Sequence, residues 1–128
     1  YLQQYLQIDI ALDPFPCNGG TTTCESLWMG VPVVSRSGQS GASRSGSSLL
    51  GNAGLAQLVA RSWDEYIDIA LRLATDLPAL AQLRATLRER LRASPLLDAA
   101  GFTRDLETLY RDAWQVWCAQ SMARNRSC

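Results

Sequence analysis

The chain has 128 residues, a formal net charge of zero and an apolar fraction of 47%. That is one domain's worth of chain, and its neutrality gives no bulk electrostatic argument for nucleic acid or an acidic membrane as partner. All 12 basic residues are Arg, so no imidazole base, imidazole metal ligand or lysine amine can come from within these residues.

Tyr1–Leu6 reads as the end of a helix, with Leu2, Tyr5 and Leu6 on one face. Tyr1 has no Met before it, and a strand follows within a few residues, which suggests a piece of a longer protein. Ile8–Leu12 is a short apolar run carrying Asp9, expected to be a buried strand that stops at Asp13-Pro14. Pro14–Gly20 is a loop. Thr21 or Thr22 is expected to cap a helix reaching about Met29, with Glu25 in its early turns. Gly30 ends that helix, and Val31–Val34 reads as a second buried strand.

Residues 36–48 are rich in Ser and Gly, a composition that fits a flexible linker. The helical spacing of Leu49, Leu50 and Ala53 supports instead a loop running into a helix over Ala42–Ala53. Leu55–Ala60 is expected to form another short strand. Beyond it the chain is helical. Trp63, Ile67, Ala70, Leu71 and Ala74 make one predicted core stripe, and Leu80, Leu83, Leu87 and Leu91 a second, opposed by a solvated face of Arg84, Arg88 and Arg92. Phe102, Leu106, Leu109, Ala113 and Trp117 make a third, with Asp98 as its cap. Strands followed by alternating helices predict an α/β fold with helices on a parallel sheet.

Cys17, Cys24, Cys118 and Cys128 lack zinc-site spacing and read as thiols in a reducing compartment. No apolar run approaches the ~20 residues of a membrane span, and no basic-then-apolar signal segment opens the chain. A soluble cytoplasmic protein is expected.

The most informative stretch is Asp13–Glu25. In open α/β sheets ligands bind beyond the carboxyl ends of strands, where loops run into helix N-termini. Gly19 and Gly20 allow close backbone approach, Thr21, Thr22 and Thr23 add hydroxyls beside the orphan N–H groups of a helix start, and Glu25 stands about one turn in. This arrangement suits a phosphate, with a carboxylate in reach of a ribose.

The run Asp9-Ile-Ala-Leu-Asp-Pro-Phe-Pro-Cys-Asn-Gly-Gly-Thr-Thr-Thr-Cys-Glu-Ser-Leu-Trp-Met-Gly-Val-Pro-Val-Val34, followed by Ala42-Ser-Arg44 and Ser94-Pro-Leu96, resembles the C-terminal catalytic lobe of the O-GlcNAc transferase family. The likeness is greatest to its bacterial branch, with the plant SPINDLY proteins and the animal enzyme in the same family, and runs to about Trp117. It implies a GT-B glycosyltransferase of two Rossmann-like lobes, of which residues 1–119 would be the C-terminal part of the UDP-binding lobe and 120–128 an unstructured tail. It further implies metal-independent, inverting transfer of GlcNAc from UDP-GlcNAc, with no cofactor, to Ser or Thr hydroxyls of proteins.

By the same resemblance, Gly19, Gly20, Thr21 and Thr22 would lie against the donor diphosphate and Glu25 would bond the ribose. Tyr1 falls where the animal enzyme stacks an imidazole on uracil. Gly20 replaces a His of that enzyme, leaving only backbone contact, and Glu25 replaces an Asp. The family's phosphate-binding Lys and its proposed catalytic groups lie upstream, as do the repeats that bind the protein acceptor. No catalytic residue is therefore expected within this chain, and it alone should be inactive. Two alternatives remain at this level: a related GT-B transferase with another donor such as GDP-fucose, and a non-catalytic nucleotide-binding or interaction module. Arg44, at the start of the next predicted helix, is expected to pair with Asp13 or to be solvated.

Overall fold

The computed structural model describes residues 1–125. A 3-10 turn over Leu2–Gln7 leads into strand β1 (Ala11–Leu12), helix α1 (Thr21–Trp28), β2 (Val33–Arg36), α2 (Ser45–Asn52) and, after a 3-10 turn at Ala56–Leu58, β3 (Val59–Ala60). Helices α3 (Trp63–Thr75) and α4 (Leu77–Arg92) follow, then a 3-10 turn at Pro95–Leu97 and helix α5 (Ala99–Asn125). The sheet is parallel with order β1-β2-β3, Ala11 facing Val33 and Ser35 facing Val59 in register. Successive parallel strands joined by α1 and α2 are the βαβ arrangement expected of the sequence, and they set all three carboxyl strand ends along one edge.

Two strands are shorter than the apolar runs that announced them, and one is shifted. β1 begins at Ala11 rather than Ile8, β3 at Val59 rather than Leu55 because Ala56–Leu58 is a 3-10 turn, and β2 covers Val33–Arg36 rather than Val31–Val34. Pairing rather than hydrophobicity sets those ends: the Ala11 amide donates to the Pro32 carbonyl and the Asp13 amide to that of Val34, both at 2.9 Å. Residues 36–48 are not a linker, since they close a turn and enter α2 at Ser45. The first residues form a 3-10 turn, not the end of an α-helix.

Leu27, Val33, Val34, Leu50, Leu55, Ile69 and Leu87 form the core between the sheet and its helices. Gly30 (φ 78°) closes α1 and Gly54 (φ 69°) follows α2, each in a left-handed conformation that costs glycine nothing. The predicted α4 stripe is inward: Leu80, Leu87 and Leu91 are buried and Leu83 half-buried. The arginines opposite are not simply solvated, however. Arg84 Nε donates to the Gly30 carbonyl at 3.1 Å and Arg88 Nε to that of Trp28 at 2.8 Å, while Arg88 and Arg92 lie over the Trp28 ring. Arg84 also pairs with Asp9.

The stripe predicted for α3 requires correction. Tyr66, Ile69, Ala70 and Leu73 turn inward, whereas Trp63, Ile67, Leu71 and Ala74 are exposed. The helix carries two apolar stripes, and the inward one is fixed by Tyr66, whose hydroxyl donates to the Asp13 carbonyl at 3.0 Å.

Residues 1–97 form one compact unit and residues from 98 onward another. In the second, Asp98 Oδ1 accepts from the Gly101 amide at 2.8 Å, the cap expected at the start of α5. The stripe residues Phe102 and Trp117 are exposed, and Trp114 stacks on Trp117 with ring centres 5.2 Å apart. The tail expected from residue 120 is helical as far as Asn125, because Ala119–Asn125 contains no Gly or Pro to stop a helix. Residues 126–128, including Cys128, lie outside the described residues.

Candidate functional site

The site is organised by Asp13, the residue that leaves β1. Its buried carboxylate accepts from the Gly19 amide through Oδ1 at 2.7 Å and from the Ser35 hydroxyl through Oδ2 at 2.5 Å. One side chain thereby bends the loop back on itself and ties it to β2. Asp13 does not meet Arg44, whose Nη1 donates to the Gln39 carbonyl at 2.8 Å. An arginine was not needed there, since two charge-assisted hydrogen bonds already satisfy the carboxylate.

The fold leaves no room for side chains at the loop's contact points. A Cβ on Gly19 would come within 2.6 Å of Thr22 Oγ1 and 2.7 Å of Thr23 Oγ1, and one on Gly46 of α2 would fall 2.7 Å from Asp13 Oδ2. Gly20 differs, having no heavy atom within 4 Å of its Cβ direction, so its backbone faces open space.

Gly20 is also the N-cap of α1, and no side chain caps the helix. This corrects the expectation that Thr21 or Thr22 does so: both lie inside the first turn, because the chain has already been turned by the Asp13–Gly19 hydrogen bond. The first amides of a helix have no carbonyl one turn earlier to bond. Those of Thr21 and Thr22, both exposed residues, stand in the uncapped first turn at the positive end of the helix dipole.

Glu25 and Tyr1 are brought to the same place. The Tyr1 phenol lies 3.3 Å from that of Tyr5, and its pKa is pushed up to about 12 by the Tyr5 hydrogen bond and then by the Glu25 carboxylate. Tyr5 in turn reaches the Thr22 carbonyl at 3.4 Å, docking the first turn of the chain on α1. The Tyr1 ring is 72% exposed, so its face is open to a stacking partner. Burial, and then the Glu25 charge, push the Cys24 thiol up, which makes it a poor nucleophile. Among the described residues no group of three or more His, Cys, Asp or Glu side chains could hold a metal, and no helix is long and apolar enough to cross a membrane.

A cavity of about 130 Å³ lined by Tyr5, Asp13, Thr22 and Thr23 adjoins this shelf. Sites for small molecules usually offer at least about 300 Å³, more than this cavity holds. A cavity of about 340 Å³ lies between α3 and α4, lined by Ile69, Leu73 and Leu80 among others, and shares no residue with the shelf.

The glycosyl transferase family 41 profile matches residues 4–106. The chain belongs to that family. Over 118 residues it is 50% identical to the SPINDLY protein of Solanum lycopersicum, named a probable UDP-N-acetylglucosamine–peptide N-acetylglucosaminyltransferase; the match covers 92% of this chain and 13% of the relative. It is 39% identical over 107 residues to the UDP-N-acetylglucosamine–peptide N-acetylglucosaminyltransferase of Caenorhabditis elegans, covering 84% of this chain and 9% of the relative. A variant of the Thermobaculum terrenum O-GlcNAc transferase superposes with a TM-score of 0.86 at 50% identity, covering 94% of this chain and 23% of that one. The chain thus spans about an eighth of the length of the SPINDLY relative, and its α/β architecture is that of the bacterial transferase segment.

Sequence reasoning placed Gly19, Gly20, Thr21, Thr22, Glu25 and Tyr1 together, and the fold does bring them to one edge. It missed the brace made by Asp13, Ser35 and Gly46, and the contact of Arg36 with Phe15 and Trp63. An acidic residue at the carboxyl end of a buried strand was the available signal for the first; nothing local signalled the second.

Proposed function

We propose that the protein carrying this chain moves GlcNAc from UDP-GlcNAc to Ser or Thr hydroxyls of proteins, and that this segment holds the UDP end of the donor. The supporting observation is the uncapped N-terminus of α1, held open beside Gly19 and Gly20 by the Asp13 brace. The names of the relatives supply the donor and the peptide acceptor. In this reading the amides of Gly20, Thr21 and Thr22 and the two threonine hydroxyls cradle the diphosphate, Glu25 accepts from the ribose, and Tyr1 stacks on uracil. As the glycosidic bond breaks, negative charge grows on UDP, and these preorganised donors stabilise it without a metal. The catalytic base and the acceptor-binding surface belong to other parts of the protein, which we place in the cytoplasm.

The test is ligand binding with and without the ribose. Replacing Glu25 by Ala should weaken UDP by about 1.5–3 kcal/mol, the usual worth of a hydrogen bond to a charged group, and leave pyrophosphate nearly unaffected. Equal losses for both ligands would make Glu25 a helix-terminus charge and not a ribose ligand. Transfer from GDP-fucose in preference to UDP-GlcNAc would replace the donor while keeping the diphosphate shelf.

A further inference from the structure

Tyr5 is the half-buried residue of the 3-10 turn Leu2–Gln7, whose other residues are exposed. It lies against the start of α1. Its hydroxyl donates to the Thr22 carbonyl at 3.4 Å, and with Thr22 and Thr23 it lines the cavity of about 130 Å³ beside the shelf. Its ring also meets that of Tyr1 edge to face, with centres 6.0 Å apart and 83° between the planes. A contact of this kind covers at most one face of the Tyr1 ring and leaves the other to a stacking partner.

One phenol proton sets the direction of both hydrogen bonds. A carbonyl can only accept, so the Tyr5 proton goes to Thr22. The Tyr5 oxygen, 3.3 Å from that of Tyr1, then accepts from the Tyr1 phenol. A directed chain therefore runs from Tyr1 through Tyr5 to the backbone of the turn that carries Thr21 and Thr22. Glu25, on the same helix, offers the Tyr1 proton a second acceptor, and the two neighbours, Tyr5 first, push the Tyr1 pKa up to about 12. A carboxylate that takes a phenol proton has fewer lone pairs to offer a ribose. While Tyr5 engages that proton, Glu25 keeps both oxygens for a nucleoside.

We propose that Tyr5 is a positioning residue for the nucleotide: it holds the Tyr1 ring at a fixed place relative to Thr22 and keeps the Tyr1 proton away from Glu25, so that base, ribose and diphosphate are recognised as one unit. The inference rests on the reading that this segment holds UDP, and it adds a residue that itself touches no part of the ligand. Tyr5 acts on the nucleoside half of the ligand through Tyr1. A bare diphosphate does not feel it.

The test is a double-mutant cycle in the full-length protein, with UDP and pyrophosphate titrated into wild type, Tyr5→Phe, Tyr1→Ala and the double variant. Affinity and stoichiometry are fitted separately, so the folded fraction does not enter the affinity. Tyr5→Phe keeps the ring and should weaken UDP about fivefold, the order of one neutral hydrogen bond, while pyrophosphate changes by less than about twofold. With Tyr1 already replaced by Ala, Tyr5→Phe should cost UDP nothing further, because the residue it acts through is gone. UDP affinity unmoved by Tyr5→Phe would overturn the proposal. So would an equal loss for pyrophosphate, which would make Tyr5 a support of the Thr22 turn alone, or the same fivefold loss again in the Tyr1→Ala background. Wild type that binds neither UDP nor GDP would defeat the nucleotide reading, and this proposal with it. If GDP binds and UDP does not, the donor changes and the same cycle run with GDP decides the role of Tyr5.

Discussion

Asp13 is the residue whose loss should be felt most. Replacing it with Ala removes both acceptors at once, leaving the Gly19 amide and the buried Ser35 hydroxyl without partners. Two hydrogen bonds to a charged group, at about 1.5–3 kcal/mol each, put the cost at roughly 3–6 kcal/mol. That is a large share of the ~5–15 kcal/mol typical of a folded domain, and the midpoint of thermal unfolding should fall by at least about 10 °C. Asp13→Asn is the informative control. Its amide oxygen can keep the Gly19 bond while its NH₂ donates to Ser35 Oγ, because a serine hydroxyl serves as donor or acceptor. Only the charge assistance is lost, about 1–2 kcal/mol. Thermal unfolding of the three proteins, followed by circular dichroism, should therefore rank wild type above Asn and Asn well above Ala. An Ala variant melting within about 2 °C of wild type would refute the brace and with it the explanation of how the loop is held.

Three further outcomes follow from the same geometry. Gly19→Ala should destabilise by about 1–3 kcal/mol through overpacking against Thr22 and Thr23, whereas Gly20→Ala, with open space at its Cβ, should cost about 1 kcal/mol or less; equal melting shifts would contradict this. Thr21→Val and Thr22→Val keep volume and branching but remove a hydroxyl donor, so in the full-length protein kcat should fall about tenfold to a few hundredfold with little change in melting temperature; lost stability with unchanged kcat would leave them purely structural. In a spectrophotometric titration one tyrosine of the four should ionise near pH 12, not 10, and Glu25→Gln should lower it part of the way, since the Tyr5 hydrogen bond remains. Because that pKa is raised on folding, the stability linked to the Tyr1 phenol is complete below pH 10 and is lost as pH rises through about 12.

The α/β class, the parallel sheet and the gathering of Gly19, Gly20, Thr21, Thr22 and Glu25 were legible because they rest on short-range patterns, whereas Tyr1 was set beside them only by the family resemblance. A strand end, a glycine turn and a helix start each leave their mark within a few residues. The α3 core face was not legible, because Trp63-Ile67-Leu71 and Tyr66-Ile69-Leu73 are both good helical stripes and only a partner 53 residues away, the Asp13 carbonyl, selects between them. The capping threonine failed for a related reason. Capping preference is statistical, whereas here Asp13 completes the turn and leaves a glycine at the cap. The roles of Arg84, Arg88 and Arg36 also depended on contacts across the fold, which helical periodicity does not encode.

The grip of α4 on the far end of α1 sets a minimum length for a useful piece of this protein. The residues that would touch a donor span Tyr1–Glu25, yet the carbonyls of Trp28 and Gly30 are held by Arg88 and Arg84, contributed 60 and 54 residues later. A peptide comprising only the glycine–threonine loop would have nothing to aim its amides. Any shortened version that stops before Arg84 leaves the negative pole of α1 without both of these cations, and the helix would lose its fixed direction even with every donor contact intact. Dissection of this region by truncation should therefore yield an abrupt threshold within α4, not a graded loss.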